Sequence, residues 1–304
     1  MVLPNFLIIG APKAGTSSLY YYLKQHPQIY MSPSKEPHFF ALENKKIDFR
    51  GSGDLERLHH AITNVEDYHR LFESVTTEIA IGEASTSYLS SELAPYRIRH
   101  YIPDVKLIAI LRNPVDAAYA SYLHLLRDGD ENIKDFGRAL QVEKERIKQN
   151  WEGIWHYKQR GFYYEQLKRY FNLFEREQIK IYLYEDLQNN SQYLLQNIFY
   201  FLEVEHSFIP DITQKFNVSG MPKNLALNRL MSKPNILKSG FNFLVPKVVR
   251  NSFKQKVKSW NFNDFQKPSL SSEIKNKLTI EYQKDILKLQ DLIQKDLSSW
   301  LSNY

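Results

Sequence analysis

Cysteine is absent from all 304 residues. That excludes a disulfide framework, a thiolate metal site and a thiol nucleophile, and it suits a reducing compartment, so a cytoplasmic location is expected. Long hydrophobic runs are missing too. The longest apolar stretches, FLIIGA at 6–11 and VKLIAIL at 105–111, fall far short of the roughly 20 residues that span a bilayer. No basic segment precedes the first of them, so neither a signal peptide nor an anchor is expected. Acidic residues are lacking between Lys215 and Lys258, where ten basic residues stand, more than the whole chain's net charge of +6. Such a stretch is either a solvated lysine-rich face or a surface for an anionic cofactor, a polyanion or acidic headgroups. No nucleic-acid recognition motif accompanies it, so nucleic acid is not expected as a partner. Within it, FNFLVPKVVRNSFKQKVKSW at 241–260 mixes apolar and basic residues as interfacial helices do. Peripheral contact at the inner membrane is therefore an alternative to packing on its own protein.

What is present points to a packed α/β protein. Hydrophobic residues make up 43% and aromatic residues 14%, ample for a sizeable core. Strand-like runs recur at 5–11, 78–84, 105–113 and 179–187. The first and third are nearly continuous in apolar residues, as strands buried on both faces are. Helical periodicity follows in GTSSLYYYLKQHP, in PVDAAYASYLHLLRDG with Pro114 in its first turn and Gly129 near its stop, and in YYEQLKRYFNLF. A last helix is expected over 271–301, with Leu278, Tyr282, Ile286, Leu289 and Leu292 or Ile293 at helical spacing. The alternation predicts a central parallel β-sheet flanked by helices on both faces. No composition break marks a second domain: residues 1–304 read as one, with 215–270 as a basic segment of loops and short helices over the core.

The first strand enters Gly10-Ala-Pro-Lys13-Ala-Gly15-Thr16-Ser17-Ser18. Its glycine spacing is that of a nucleotide-triphosphate loop, but Thr16 stands where that motif requires lysine. A turn of this kind aims backbone N–H groups, the positive end of a helix and the Thr16, Ser17 and Ser18 hydroxyls at one anion, with Lys13 in reach. The competing reading is an ordinary strand-to-helix connection with a Ser/Thr N-cap. Nucleotide triphosphatases end a later strand in an acidic residue that helps hold Mg²⁺, whereas the strand at 105–113 runs into Arg112, whose guanidinium suits a second phosphate. Glu185 and Asp186 at the end of IYLYEDL keep a kinase reading open.

GAPKAGTSSLYYYLKQHPQI, KEPHFF, LRNPVDAAYASY, RGFYYEQLKRYF, IYLYEDL and the closing DILKLQDLIQKDLSSWL, in this order, resemble the sulfotransferases that use 3′-phosphoadenosine 5′-phosphosulfate (PAPS), in particular a bacterial branch similar to heparan-sulfate-type enzymes. The resemblance implies a P-loop-like sulfotransferase fold, PAPS as anionic donor, 3′-phosphoadenosine 5′-phosphate (PAP) as product, no metal, and a carbohydrate, lipid-linked glycan or other metabolite as acceptor. It implies that Lys13, Gly15, Thr16, Ser17 and Ser18 surround the 5′-phosphosulfate, that Arg112 holds the 3′-phosphate, and that Glu36 is the general base with His38 as its polar neighbour. Lys215, Ser219, Gly220 and Lys223 fall in NVSGMPKN and its approach, similar to a late loop that closes over the nucleotide. Apart from the resemblance, Glu36 reads as an ion-pair partner of Lys35 or a loop hydrogen-bond acceptor, and His124 as a surface or core histidine. The chain departs from the family pattern twice. Position 120 is alanine where the family has a phosphate-binding serine, and Ser121 lies about 100° around the helix, so it replaces that serine only if the register shifts. In GEASTSYL, Glu83 and Tyr88 match, but Ala84 stands where animal glycan enzymes carry lysine, which speaks against a heparin-like polyanionic acceptor. The same fold without catalysis, as a PAPS- or PAP-binding protein, and a P-loop nucleotide kinase are the alternatives.

Overall fold

Residues 2–213 and 268–302 are described by a computed structural model. Five parallel strands, β1 (Phe6–Gly10), β2 (Ile29–Met31), β3 (Ala80–Ala84), β4 (Lys106–Leu111) and β5 (Ile179–Leu183), form one sheet in the order β2-β3-β1-β4-β5. Helices surround it. Every residue of β1 and all but the first of β4 are buried, as their unbroken apolar runs require of central strands.

Strand order fixes where a ligand can sit. From β1 the chain first builds β2 and β3 on one side, then crosses to β4 and β5 on the other, leaving a crevice at the carboxyl ends of β1 and β4, the switch point where open α/β sheets bind ligands. At that end the β1–β4 register shifts between Ile8 and Gly10, and the Ala11 N–H donates to the Ile110 carbonyl at 2.7 Å. The loop after β1 is thereby tied to the end of β4.

The helices expected after β1 and β4 are Thr16–Leu23 and Pro114–Asp128. The second is capped by the Asn113 side chain, which accepts from the Val115 N–H, and ends at Gly129 with φ 78°. The third spans Tyr163–Phe171. Three expectations change. The three-residue β2 is too short to show a period. The strand expected over 179–187, β5, stops at Leu183, because the Asp186 carboxylate accepts from the Leu183 N–H at 2.9 Å and starts a helix, Tyr184–Asn189. The last helix is two, Ser272–Ile293 and Ser298–Leu301: Gln294 takes φ 53°, and the Asp296 carboxylate receives the Ser298 N–H. Leu278, Tyr282, Ile286, Leu289 and Ile293 are buried, so Ile293, not Leu292, completes the apolar face. No helix among the described residues is long and apolar enough to cross a membrane. Most of 215–270, including Lys215, Ser219, Gly220, Lys223 and the interfacial candidate 241–260, lies outside the described residues.

Candidate active site

A cavity of about 760 Å³ opens at the switch point. The loop after β1 forms its floor, with Lys13, Gly15, Thr16, Ser17 and Ser18 all on its lining. Gly15 begins the helix with φ 94°, and a Cβ there would come within 2.5 Å of Leu187, so both the turn and the close approach demand glycine. No side chain caps this helix among the described residues, which departs from the simple N-cap reading; its first turn, Thr16 to Ser18, lies on the cavity lining, where the positive end of a helix favours an anion. Lys13 itself has φ 63°. Burial first, then the Arg127 guanidinium, with smaller contributions from Arg112 and Lys35 and a partial offset from Asp128, holds its ammonium down to about 8. Lys13 makes no ion pair among the described residues. A lysine crowded by cations and partly desolvated gains from an incoming anion.

Arg112, at the end of β4, closes the crevice from the other side. Its Nη1 donates to the Lys13 carbonyl at 3.0 Å, and its guanidinium lies 4.5 Å from the Tyr184 ring centroid. On the helix behind it, Ser121 and His124 line the cavity. Ser121 Oγ donates to the Ala117 carbonyl one turn back at 3.0 Å, whereas Ala120 is buried, 1% exposed. Position 121 thus faces the cavity and position 120 the core. His124 accepts from Arg127 at 2.6 Å and sits 3.6 Å from Asp128. Burial first, then Lys13, lowers its pKa, so it is a neutral cavity residue near neutral pH.

The opposite wall comes from KEPHFF, the loop after β2. Glu36 and His38 both adopt left-handed backbone, φ 61° and 59°, a costly conformation outside glycine that persists where the surroundings enforce it. The Glu36 N–H donates to the Ala84 carbonyl at 2.8 Å, hanging this loop on the end of β3. One Glu36 oxygen accepts from Lys35 Nζ at 2.6 Å and the other from the Thr86 N–H at 2.8 Å. Burial opposes ionisation of Glu36, but Lys35, His38 and the Thr86 N–H outweigh it and hold the carboxyl at about 2. The ion pair and loop hydrogen bond read from the sequence are both present, and the carboxylate still faces the cavity. His38 Nδ1 lies 2.7 Å from Ser87 Oγ and 3.9 Å from Glu36, and burial lowers its pKa. Glu83 is elsewhere, beneath the wall: fully buried, it accepts from Ser85 and Tyr68, and burial pushes it up to about 7.

Several cavity residues were not singled out as site residues in the sequence, although Lys35, Arg160 and Tyr184 stand in the motifs KEPHFF, RGFYYEQLKRYF and IYLYEDL. Arg57 pairs with Asp54 and Asp130 and lies over Trp155. Arg160 donates to the Thr86 carbonyl at 3.3 Å, its Nε is buried without a partner, and it makes no ion pair among the described residues. Lys35, Thr86 and Tyr184 also line the space. A cluster of charges far apart in sequence has no period to betray it. Of the tyrosines near these segments, Tyr22 lines the cavity, whereas Tyr20, Tyr88 and Tyr163 are core residues.

The comparisons agree with this geometry. A family model described as the sulfotransferase domain matches residues 3–290. A solved sulfotransferase from Alicyclobacillus acidocaldarius superposes with a TM-score of 0.79 at 33% identity, over 99% of this chain and 100% of that one. Mouse carbohydrate sulfotransferase 15 is 28% identical over 251 residues, 66% of this chain and 44% of that protein. Human bifunctional heparan sulfate N-deacetylase/N-sulfotransferase 3 is 37% identical over 122 residues, 40% of this chain and 13% of that protein. The chain thus spans less than half the length of these curated relatives. With its parallel sheet, its loop after β1 and the family match over nearly its whole length, the chain belongs to the sulfotransferase domain family.

Proposed function

We propose that this sulfotransferase moves a sulfuryl group from PAPS to a hydroxyl, or less readily an amine, of a carbohydrate or lipid-linked glycan. One observation carries the reading: Lys13, Arg112 and Glu36, from the ends of three different strands, share one cavity at the switch point. The relatives named for carbohydrate and heparan sulfate chemistry support a sugar acceptor; Ala84 speaks against a heparin-like one. Family membership favours sulfuryl transfer over the kinase alternative.

In the reaction the bond between sulfur and the bridging oxygen of the nucleotide breaks as the acceptor oxygen bonds to sulfur, and negative charge grows on the departing phosphate. Lys13 and the uncapped N–H groups of the loop stabilise that charge by standing in place beforehand. Arg112, hydrogen-bonded to the Lys13 carbonyl and beside the Tyr184 ring, suits the 3′-phosphate. Glu36 takes the acceptor's proton as the new bond forms, which requires it to come within hydrogen-bond reach of the acceptor.

The test is radiolabelled sulfate transfer from PAPS into fractionated host glycans and lipids, alongside thermal shift with PAP in the presence of EDTA. Binding of PAP raises Tm by linkage, and Glu36→Gln keeps that shift while losing transfer by about 10²–10⁴-fold, the usual share of a general base. Absence of any shift at saturating PAP refutes the donor assignment. A shift without transfer to any fraction favours the non-catalytic alternative.

A further inference from the structure

Glu36 is a poorly placed base as it stands. Both of its oxygens are engaged, by Lys35, by the Thr86 N–H and by Thr86 Oγ1 at 3.2 and 3.3 Å. A carboxylate so satisfied has little affinity for a hydroxyl proton. Thr86 is fixed by its own backbone, so the removable partner is Lys35. Among the described residues Lys35 bonds only to Glu36. Its side chain is 20% exposed to the cavity and has a flexible four-carbon stem. The arginines of the cavity are held elsewhere, Arg57 by Asp54 and Asp130, Arg112 by the Lys13 carbonyl and Tyr184, Arg160 by the Thr86 carbonyl, and Lys13 stands on the floor, apart from Glu36. Lys35 also lies within electrostatic range of Lys13, whose proton it helps to loosen.

We propose that Lys35 gates the base: it holds Glu36 in the free protein and swings to the sulfuryl oxygens when the donor arrives, releasing the carboxylate for the acceptor's proton. This rests on the sulfotransfer reading above. It gives the chain a physical reason to activate the base only when a transferable group is present, and it makes Lys35 a positioning residue for Glu36. The charged and titratable groups around Glu36 are Lys35 on its own loop, His38 and His60 beside it, Glu83 behind Ser85, Glu152 and Arg160 across the wall, and Lys13 on the floor.

The experiment follows the Glu36 carboxyl by ¹³C NMR in protein labelled at glutamate Cδ, with the resonance assigned by its loss in Glu36→Gln, titrated with pH in the free, PAP-bound and PAPS-bound protein. PAP has no sulfuryl group. In the free wild type the signal stays ionised through the acidic range; in Lys35→Met, where burial is less opposed, it titrates at higher pH, and Lys35→Arg restores the wild-type curve. PAPS shifts the wild-type titration upward relative to PAP, and in Lys35→Met that difference between the two nucleotides collapses. An equal difference in wild type and Lys35→Met means direct repulsion by the sulfuryl group and overturns the gate, as does an unchanged titration in Lys35→Met. Lys35→Gln serves as the second variant should methionine perturb the loop. Failure of both nucleotides to bind is a different result: it sinks the sulfotransfer reading and the gate with it.

Discussion

Raising the pH should loosen nucleotide binding through a single side chain. Lys13 is depressed to about 8 by burial and neighbouring cations, whereas in the unfolded chain it titrates near 10.5. If the nucleotide needs the ammonium, its apparent affinity follows the charged fraction of the free protein. That fraction is about 0.9 at pH 7 and about 0.03 at pH 9.5, so the dissociation constant rises about 30-fold, or about 2 kcal/mol at 1.36 kcal/mol per unit. Isothermal titration of PAP over this window, in buffers of different ionisation enthalpy, reads both the loss and the uptake of up to one proton per nucleotide. The free protein moves the other way. Because the folded pKa lies below the unfolded one, Lys13 contributes a destabilisation fully present below about pH 8 and relieved as the pH climbs toward 10.5. Replacing Lys13 by arginine, charged throughout, should flatten the alkaline fall. A wild-type affinity constant between pH 7 and 9.5, or an equal fall in Lys13→Arg, would refute the argument.

Two substitutions on the helix after β4 separate its faces. Ser121→Ala should weaken PAP about ten-fold, the lower end of a hydrogen bond to a charged group, with Tm unchanged; Ala120→Ser buries a hydroxyl in the core and should cost about 1–3 kcal/mol of stability with no gain in affinity. Away from the cavity, Arg146 grips both oxygens of Glu131 at 2.7 and 2.9 Å, with side chains 7% and 1% exposed, and Glu131 also accepts from Tyr157. Arg146→Met strands that carboxylate and should cost about 3–5 kcal/mol in chemical denaturation, more than either substitution on the helix after β4.

The chain's own pattern determined the elements whose burial is local in origin. The unbroken apolar runs of β1 and β4 could only be central strands, Pro114 and Gly129 bounded a helix, and the glycine turn before Thr16 marked where an anion can approach. Pattern alone left out β2, three residues with no room for a period, and it ran β5 past Leu183 because it could not see the Asp186 carboxylate turning the chain. Tertiary structure decided what meets what. Lys13 and Arg112 are 99 residues apart and Glu36 and Thr86 are 50 apart; they touch because the order β2-β3-β1-β4-β5 brings their strand ends together. Periodicity records how each residue faces its own element's neighbours, and adjacency sufficed for the pairing of Lys35 with Glu36, while the gathering of Lys13, Arg112, Glu36 and Arg160 around one cavity follows from strand order, which no local pattern carries.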